Sequence, residues 1–221
     1  MYRLCKKNPA VDKTDGAFYN VKKRKTGTNA MKICIFGASS DTLAREYYEA
    51  AFRLGELMAQ GGHTLVYGGG NDGLMRACAD GVKSGGGTAI GVAPRMFDEG
   101  DFLRRDFGEL IFTETMAERK TLMRSLSQAF VVLPGGTGTL DEFFETLTLK
   151  QLGEQPKPIV LLNTMGYYDA LCALLRNMIE RGFVGRSAGE MIALCAEPEE
   201  ALERALIPDG SGARSRADYN K

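Results

Sequence analysis

The sequence predicts an α/β protein built on a doubly wound, mainly parallel β-sheet of about seven strands, with helices on both faces. Short apolar runs alternate along the chain with amphipathic patterns of helical period. The apolar runs are almost continuous, which is typical of strands in a parallel sheet that is covered on both sides. Repeated strand–helix units are joined by right-handed crossovers, so the expected arrangement is Rossmann-like.

The predicted strands are segments of four or five residues, rich in Ile, Val, Leu and Phe. Each is followed by a helical pattern or by a loop of small and polar residues. In chain order, the strands are expected at 32–36, 63–67, 88–92, 110–113, 129–133, 158–162 and 191–195.

The first helix is expected at 41–60, where apolar side chains recur at spacings of three and four residues and therefore share one face. These positions are Ala44, Tyr47, Tyr48, Ala51, Leu54 and Met58. Shorter patterns of the same kind predict helices at 73–83, 115–127, 139–152, 166–181 and 197–206. Tyrosines at helical positions, including Tyr167 and Tyr168, are interpreted as core or dimer-surface residues rather than as base-stacking groups.

Composition limits the function classes. The 221 residues are 44% hydrophobic and 25% charged, with a net charge of zero, so no general affinity for nucleic acid or anionic membrane is expected. No apolar run approaches the roughly 18 residues that a membrane span needs. The five cysteines are scattered without a paired spacing, which indicates reduced thiols and predicts a cytoplasmic location.

Three segments are predicted from local composition. Residues 1–30 carry eight Lys and Arg against two Asp without apolar periodicity, and are expected to be a basic, disordered leader. A transit peptide or a nucleic-acid-binding arm remains an alternative for this leader. Residues 31–207 form one domain of the predicted fold, and 208–221 form a disordered tail.

Ligands of doubly wound sheets bind at the carboxyl ends of the strands, near the point where the strand order reverses. Three of the loops that follow predicted strands are made of small residues and open a helix. They lie at 37–41, 68–75 and 133–142. Three such loops in one sheet indicate backbone that is kept clear for a ligand.

The third loop reads PGGTGTLDE from Pro134. Its glycines allow backbone N–H groups to approach an anion, and the positive end of the next helix adds to this attraction. Neither the P-loop spacing nor the Rossmann GxGxxG fingerprint is matched, which disfavours a dehydrogenase. The alternative is purely structural: Thr139 and Glu142 have the spacing of a capping box, which stabilises a helix start without any ligand.

A second capping box, Thr115 with Glu118, predicts that a helix begins at Met116. Arg119 and Lys120 then lie in its first turns, where the helix dipole disfavours positive charge. This basic pair is interpreted either as a solvated face or as a clamp for a phosphate group.

The two motifs together, MxxRK at 116–120 and PGGxGTxxE at 134–142, resemble the LOG (Lonely Guy) family of cytokinin-activating phosphoribohydrolases. The resemblance extends over roughly 31–205, and members of the family often carry the older label "lysine decarboxylase". It implies a Rossmann-like fold, a homodimer or a higher homo-oligomer built from it, and hydrolysis of the N-glycosidic bond of a nucleoside 5′-monophosphate to a free base and ribose 5-phosphate. The base is expected to be adenine or an N6-modified adenine. No metal or cofactor is expected.

Matched residue by residue, the resemblance implies that Arg119 and Glu142 are catalytic. The substrate-binding positions it implies are Met116, Lys120, Gly135, Gly136, Thr137, Gly138, Thr139, Asp141 and Thr148. The chain departs from the family pattern at Gly37, Arg76 and Leu149. The loop at 94–102 matches poorly, so a further acid of the site is Asp98, Glu99 or Asp101.

Two other functions stay open beside the hydrolase. A non-catalytic nucleotide or cofactor carrier on the same fold would not need the Arg119 and Glu142 pair. An amino-acid decarboxylase would need a lysine that holds pyridoxal phosphate and an acidic partner for the ring nitrogen. The sequence assigns no such lysine.

Overall fold

The computed structural model describes residues 30–208. The predicted leader and tail therefore lie outside the described residues, except for Ala30 and Pro208. The described chain contains one seven-stranded sheet in the order β4-β3-β2-β1-β5-β6-β7, and every neighbouring pair is parallel. The strands are β1 Lys32–Phe36, β2 Thr64–Tyr67, β3 Thr88–Pro94, β4 Glu109–Thr113, β5 Ala129–Val132, β6 Ile159–Leu162 and β7 Ala193–Cys195.

Six α-helices connect and cover these strands: α1 Arg45–Gln60, α2 Gly73–Ser84, α3 Met116–Leu126, α4 Thr137–Gln151, α5 Asp169–Glu180 and α6 Pro198–Ala205. Short 3₁₀ turns lie at Arg95–Phe97, Thr164–Gly166 and Arg186–Glu190. The predicted fold class is confirmed, and each predicted strand overlaps an observed one. None of the helices between residues 30 and 208 combines the length and apolarity that a membrane crossing requires.

Two predicted helix starts are too early, because a long-range hydrogen bond in one case and the backbone conformation in the other override the apolar period. α1 begins at Arg45 rather than at 41, since the Asp41 carboxylate accepts a hydrogen bond from the Gly73 N–H at 2.8 Å and holds that segment as a loop. α5 begins at Asp169 rather than at 166, because Met165 and Gly166 have φ values of 57° and 74°, which an α-helix does not allow.

The core consists of two layers, one on each face of the sheet. Side chains alternate along a strand, so in β1 Ile33 and Ile35 belong to one layer while Cys34 and Phe36 belong to the other. The first layer is closed by α1, α2 and α6, and the second by α3, α4 and α5. This arrangement explains why the strands are apolar at consecutive positions rather than at every second one.

The strand order reverses its direction across the sheet at β1, which pairs with β2 on one side and with β5 on the other. The loops that follow β1 and β5 therefore separate into opposite layers and leave a crevice between them. Backbone hydrogen bonds tie three loops together at this edge. Ala38 donates to the Pro134 carbonyl at 3.1 Å, and Leu74 donates to the Ala38 carbonyl at 2.8 Å.

Candidate active site

Arg119 and Glu142 meet at this edge of the sheet. The Arg119 Nη1 lies 2.7 Å from the Glu142 Oε1, and the two side chains are only 9% and 11% exposed. Arg119 belongs to α3, which begins after β4, and Glu142 belongs to α4, which begins after β5. The fold thus brings together the two residues that the family resemblance marks as catalytic.

The Arg119 guanidinium is fixed by the backbone as well as by its carboxylate partner. Its Nε donates to the Val92 carbonyl in β3 at 3.1 Å. A Cβ atom on Gly68, directly after β2, would overlap the Arg119 Nη2. Gly68 is therefore a site residue that sequence reasoning does not assign, although it lies in one of the three small-residue loops that the sequence predicts to face a ligand.

The Glu142 carboxylate is held in an unusual electrostatic environment. Burial raises the pKa of Glu142 above the usual range of a glutamate, and the nearby Arg119 guanidinium lowers this pKa without cancelling the rise. Glu142 consequently takes up a proton at higher pH than an exposed glutamate does. A carboxyl group of this kind is common among groups that take part in acid–base chemistry.

Lys120 lies next to the pair and has carboxylate partners of its own. Its Nζ is 2.8 Å from both Asp141 and Glu145, and Arg124 binds Glu145 at 2.7 Å. The Asp141 hydrogen bond is the largest of the effects that raise the pKa of Lys120. The amino group is thus part of a charge network that joins α3 to α4.

One of the two sequence interpretations of the basic pair, the solvated face, needs correction. Arg119 is not part of a solvated face, because the residue is 8% exposed. The phosphate clamp stays a prediction, and Arg119 and Lys120 are each paired with carboxylates of α4.

The capping box predicted at Thr139 is not formed. α4 begins two residues earlier, at Thr137, with Gly136 as the N-cap and no side-chain hydrogen bond to the cap. Thr139 is buried against Gly135, and the Glu142 carboxylate turns to Arg119 instead of to the helix start. The other predicted cap is confirmed, since the Thr115 hydroxyl accepts from the Glu118 N–H at 3.1 Å and α3 begins at Met116.

The glycines of the third loop have different surroundings. A Cβ on Gly135 would overlap the Thr139 side chain, so the fold requires a glycine there. A Cβ on Gly136 or Gly138 would have no atom within 4 Å, and neither residue has a positive φ. The fold therefore gives no steric reason for a glycine at either of these two positions.

The remaining predicted substrate-binding positions differ in their place on α3 and α4 relative to the Arg119–Glu142 pair. Thr137 and Asp141 are exposed on the first turns of α4, and Met116 is 43% exposed at the start of α3. Thr148 is exposed further along α4 and lies on a different side of that helix from Glu142, so this chain does not bring it to the pair.

The acids of the 94–102 loop are not equivalent. Asp98 binds the Arg105 guanidinium at 2.7 Å, whereas Glu99 and Asp101 are exposed. The end of this loop lies against the glycine loop after β2, since Asn71 donates to the Phe102 carbonyl at 3.0 Å and Arg104 donates to the Gly69 carbonyl at 2.9 Å. The segment therefore borders the site on the side of Gly68.

The fold and the site define a Rossmann-like α/β protein with a buried arginine–glutamate pair at its switch point. A sequence model of the family described as "Possible lysine decarboxylase" matches residues 75–205. The chain is 40% identical over 181 residues to the cytokinin riboside 5′-monophosphate phosphoribohydrolase of Mycobacterium tuberculosis, covering 82% of this chain and 96% of that protein. It is 34% identical over 178 residues to a phosphoribohydrolase of the same name from Arabidopsis thaliana, covering 80% and 84% of the two chains. The chain therefore belongs to the family that this sequence model describes and that includes these phosphoribohydrolases.

Among solved structures, the chain is similar to the molybdenum cofactor binding protein of Rippkaea orientalis, with a TM-score of 0.61 and 22% identity over 79% of this chain and 94% of the other. The Moco carrier protein of Chlamydomonas reinhardtii gives the same TM-score of 0.61 at 24% identity, covering 79% and 94% of the chains. At this level of identity the likeness describes the fold alone.

Proposed function

We propose that the protein hydrolyses the N-glycosidic bond of a purine nucleoside 5′-monophosphate and releases the free base and ribose 5-phosphate. The base is adenine or an N6-modified adenine. The single observation that carries the proposal is the buried ion pair of Arg119 and Glu142, one helical turn beyond a loop with uncovered backbone amides. The names of the relatives, which are cytokinin riboside 5′-monophosphate phosphoribohydrolases, support the same reaction.

The glycine loop supplies the anchor for the substrate. Within residues 30–208, the N–H groups of 135–139 donate to no protein acceptor, and the first turn of α4 adds its positive dipole at the same place. These amides bind the 5′-phosphate in the manner of other helix N-termini that hold phosphate groups. Anchoring the phosphate places the ribose near Glu142 and reduces the entropy cost of the reaction.

Glu142 acts on the ribose. As the bond between C1′ and the base nitrogen breaks, its electron pair leaves with the base and positive charge develops on the sugar ring. The Glu142 carboxylate stabilises this charge and orients the attacking water, whose oxygen bonds to C1′ and whose proton is released. The departing base takes up a proton, so the reaction consumes one water molecule.

Arg119 holds the carboxylate in place through its Nη1, while its own position is fixed by the Val92 carbonyl and the space over Gly68. Lys120 holds Asp141 and Glu145 in the same way on the outer side of α4. Arg119 therefore serves the reaction by orienting Glu142 and by keeping a larger fraction of it ionised.

Assembly and location are proposed on other grounds. We propose a homodimer as the smallest unit because the family resemblance implies one, and a cytoplasmic location because the five cysteines of the sequence are scattered without a paired spacing. Sedimentation equilibrium of the purified chain tests the first proposal, and fractionation of cells that express it tests the second.

Turnover of AMP, isopentenyl-AMP, GMP and CMP by the purified chain tests the proposed reaction. Chromatography should detect free base and ribose 5-phosphate from the two adenine nucleotides and much less product from the others. A chain that binds AMP without releasing adenine would instead be the non-catalytic carrier, and release of product from CMP at the same rate would contradict the purine preference.

A further inference from the structure

Three consecutive carbonyl groups at the start of the glycine loop are all hydrogen-bonded. The Tyr168 hydroxyl donates to the Leu133 carbonyl at 2.6 Å, the Ala38 N–H donates to the Pro134 carbonyl at 3.1 Å, and the Tyr167 hydroxyl donates to the Gly135 carbonyl at 2.7 Å. The two tyrosines are neighbours at the start of α5, but they bind carbonyls two residues apart.

These bonds fix the direction of the backbone amides. A trans peptide is planar, so a carbonyl and the N–H of the following residue point in opposite directions. The bond from Ala38 to the Pro134 carbonyl therefore orients the Gly135 N–H, and the bond from Tyr167 orients the Gly136 N–H. The bond from Tyr168 orients no amide, because the next residue is Pro134, which has no N–H.

We propose that Tyr167 is a positioning residue for the phosphate-binding loop. Its hydroxyl holds the peptide between Gly135 and Gly136 from one side, so the Gly136 N–H, at an exposed residue, points to the opposite side. Tyr167 does not touch the substrate in this arrangement. The inference rests on the proposed function, because it assigns a role for the loop in binding the 5′-phosphate.

The position of Tyr167 is itself well determined. Its ring makes edge contacts with Tyr47 of α1 at 6.1 Å and with Tyr168 at 5.0 Å between centroids. The turn before it contains Met165 at a φ of 57°, a conformation that side-chain-bearing residues rarely adopt. Asn163 closes this turn by accepting from the Tyr168 N–H at 2.6 Å and by donating to Asp169 at 2.9 Å. This turn places the Tyr167 hydroxyl within hydrogen-bonding distance of the Gly135 carbonyl.

The adjacent tyrosines provide a matched pair of variants. Tyr167→Phe removes only the hydroxyl that orients the Gly136 amide, and the partly exposed ring keeps its aromatic contacts. We expect the KM for AMP and the dissociation constant of inorganic phosphate to rise roughly three- to tenfold, the worth of one hydrogen bond. The kcat should change little, because phosphate binding is lost from the ground state and the transition state alike.

Tyr168→Phe is the control, because it also removes a hydroxyl that binds a loop carbonyl. Tyr168 is 1% exposed, so the Leu133 carbonyl loses a buried partner and the midpoint of thermal unfolding should fall. Phosphate affinity should stay within twofold of the parent, and Tyr167→Phe should show the opposite pattern. A role of the tyrosines in packing alone would instead lower the unfolding midpoint in both variants and leave phosphate affinity unchanged.

Phosphate binding is measured by calorimetry at equilibrium, independently of turnover. Equal phosphate affinity in the parent and Tyr167→Phe would overturn the role of Tyr167, whether or not AMP is cleaved. A parent chain that cleaves no AMP and binds no phosphate would overturn the proposed function, and the Tyr167 inference with it. Weaker phosphate binding in Tyr167→Phe alone supports the inference.

Discussion

Two glycine-rich loops border the site, one after β2 and one after β5, and their glycines serve different purposes. In the first, Gly69 and Gly73 have φ values of 70° and 61°, and a Cβ on Gly68 would overlap the Arg119 guanidinium. In the second, Gly136 and Gly138 have no positive φ, and a Cβ on either would have no atom within 4 Å. The loop after β2 leaves space for the Arg119 side chain, whereas the loop after β5 has open space beside Gly136 and Gly138.

This difference separates glycines that the fold requires from glycines that, under the proposed function, a ligand requires. Replacing the first kind should disturb the structure or the position of Arg119. Replacing the second kind should change stability little and affect mainly binding. The sequence alone does not distinguish the two loops, because both are clusters of small residues after an apolar strand.

The largest effect on activity is expected from changing the Glu142 carboxylate, at the site that the two loops border. Glu142→Gln should lower kcat by about 10²–10⁴-fold, because the amide cannot stabilise the cationic sugar or accept a proton. Steady-state assay of AMP hydrolysis measures this loss. Glu145→Gln is the matched control on the same helix, since Glu145 binds Lys120 and Arg124 outside the buried pair. Parent-like turnover by Glu142→Gln would refute the catalytic assignment.

Gly68→Ala tests the first loop. The added methyl group should displace the Arg119 guanidinium and lower kcat/KM by about 10²-fold, the cost of a small misplacement at a reacting centre. Gly70→Ala is the control in the same loop, because its Cβ would meet only the flexible end of the Met75 side chain. Equal activity of the two variants would mean that Arg119 does not depend on the space over Gly68.

Gly136→Ala and Gly138→Ala test the loop after β5. Each should raise the KM for AMP by about tenfold or more, because the methyl group blocks an amide that binds the phosphate. Stability should fall slightly for Gly136→Ala, because alanine is a poorer N-cap than glycine, and should rise by about 0.5–1 kcal/mol for Gly138→Ala inside α4, as measured by urea unfolding. Gly135→Ala should give the reverse, with lost stability from overlap with Thr139. Gly136→Ala and Gly138→Ala variants destabilised as much as Gly135→Ala would remove the contrast between the loops.

The smallest expected effect is a shift in pH dependence. Because burial raises the pKa of Glu142, kcat/KM should fall with decreasing pH at a higher value than an exposed glutamate would give. Below that pKa the carboxyl group is protonated and neutral, so it no longer stabilises the cationic sugar. Arg119→Gln should move this acidic limb to still higher pH, since the guanidinium lowers the pKa of Glu142. A pH profile that is the same in the parent and Arg119→Gln would contradict the coupling.

Most of the fold was predictable because the strands carry their own signal. The central strands β1, β2, β5 and β6 are buried on both faces, so their apolar runs are continuous and short. The spacing of the apolar runs along the chain then predicts the order of the strands and helices. The helix starts were less predictable. Asp41 and Thr139 both have side chains that suit a helix start, but one binds the Gly73 amide and the other packs on Gly135. The Asp41 contact joins residues 32 positions apart, whereas Thr139 contacts a loop residue only four positions before it.

The role of Tyr167 could not be read from the sequence. Adjacent tyrosines at a helix start look alike, and the pattern predicts core or dimer-surface positions for both. Tyr168 is indeed buried, but the Tyr167 hydroxyl reaches the Gly135 carbonyl 32 positions away in the chain. The difference arises from the turn around Met165, whose positive φ no residue pattern indicates.

By itself, the sequence determined the strand–helix order, the parallel sheet and the two motifs that mark the family, because these depend on apolar period and local residue spacing. Only the tertiary structure decided that Arg119 is buried and paired with Glu142, that Lys120 is paired with Asp141 and Glu145, and which glycines the fold itself requires. The physical reason is that a charge's partner and the space beside a Cα depend on segments that are distant in the chain, which meet only when the crossovers bring the carboxyl ends of the strands to one edge.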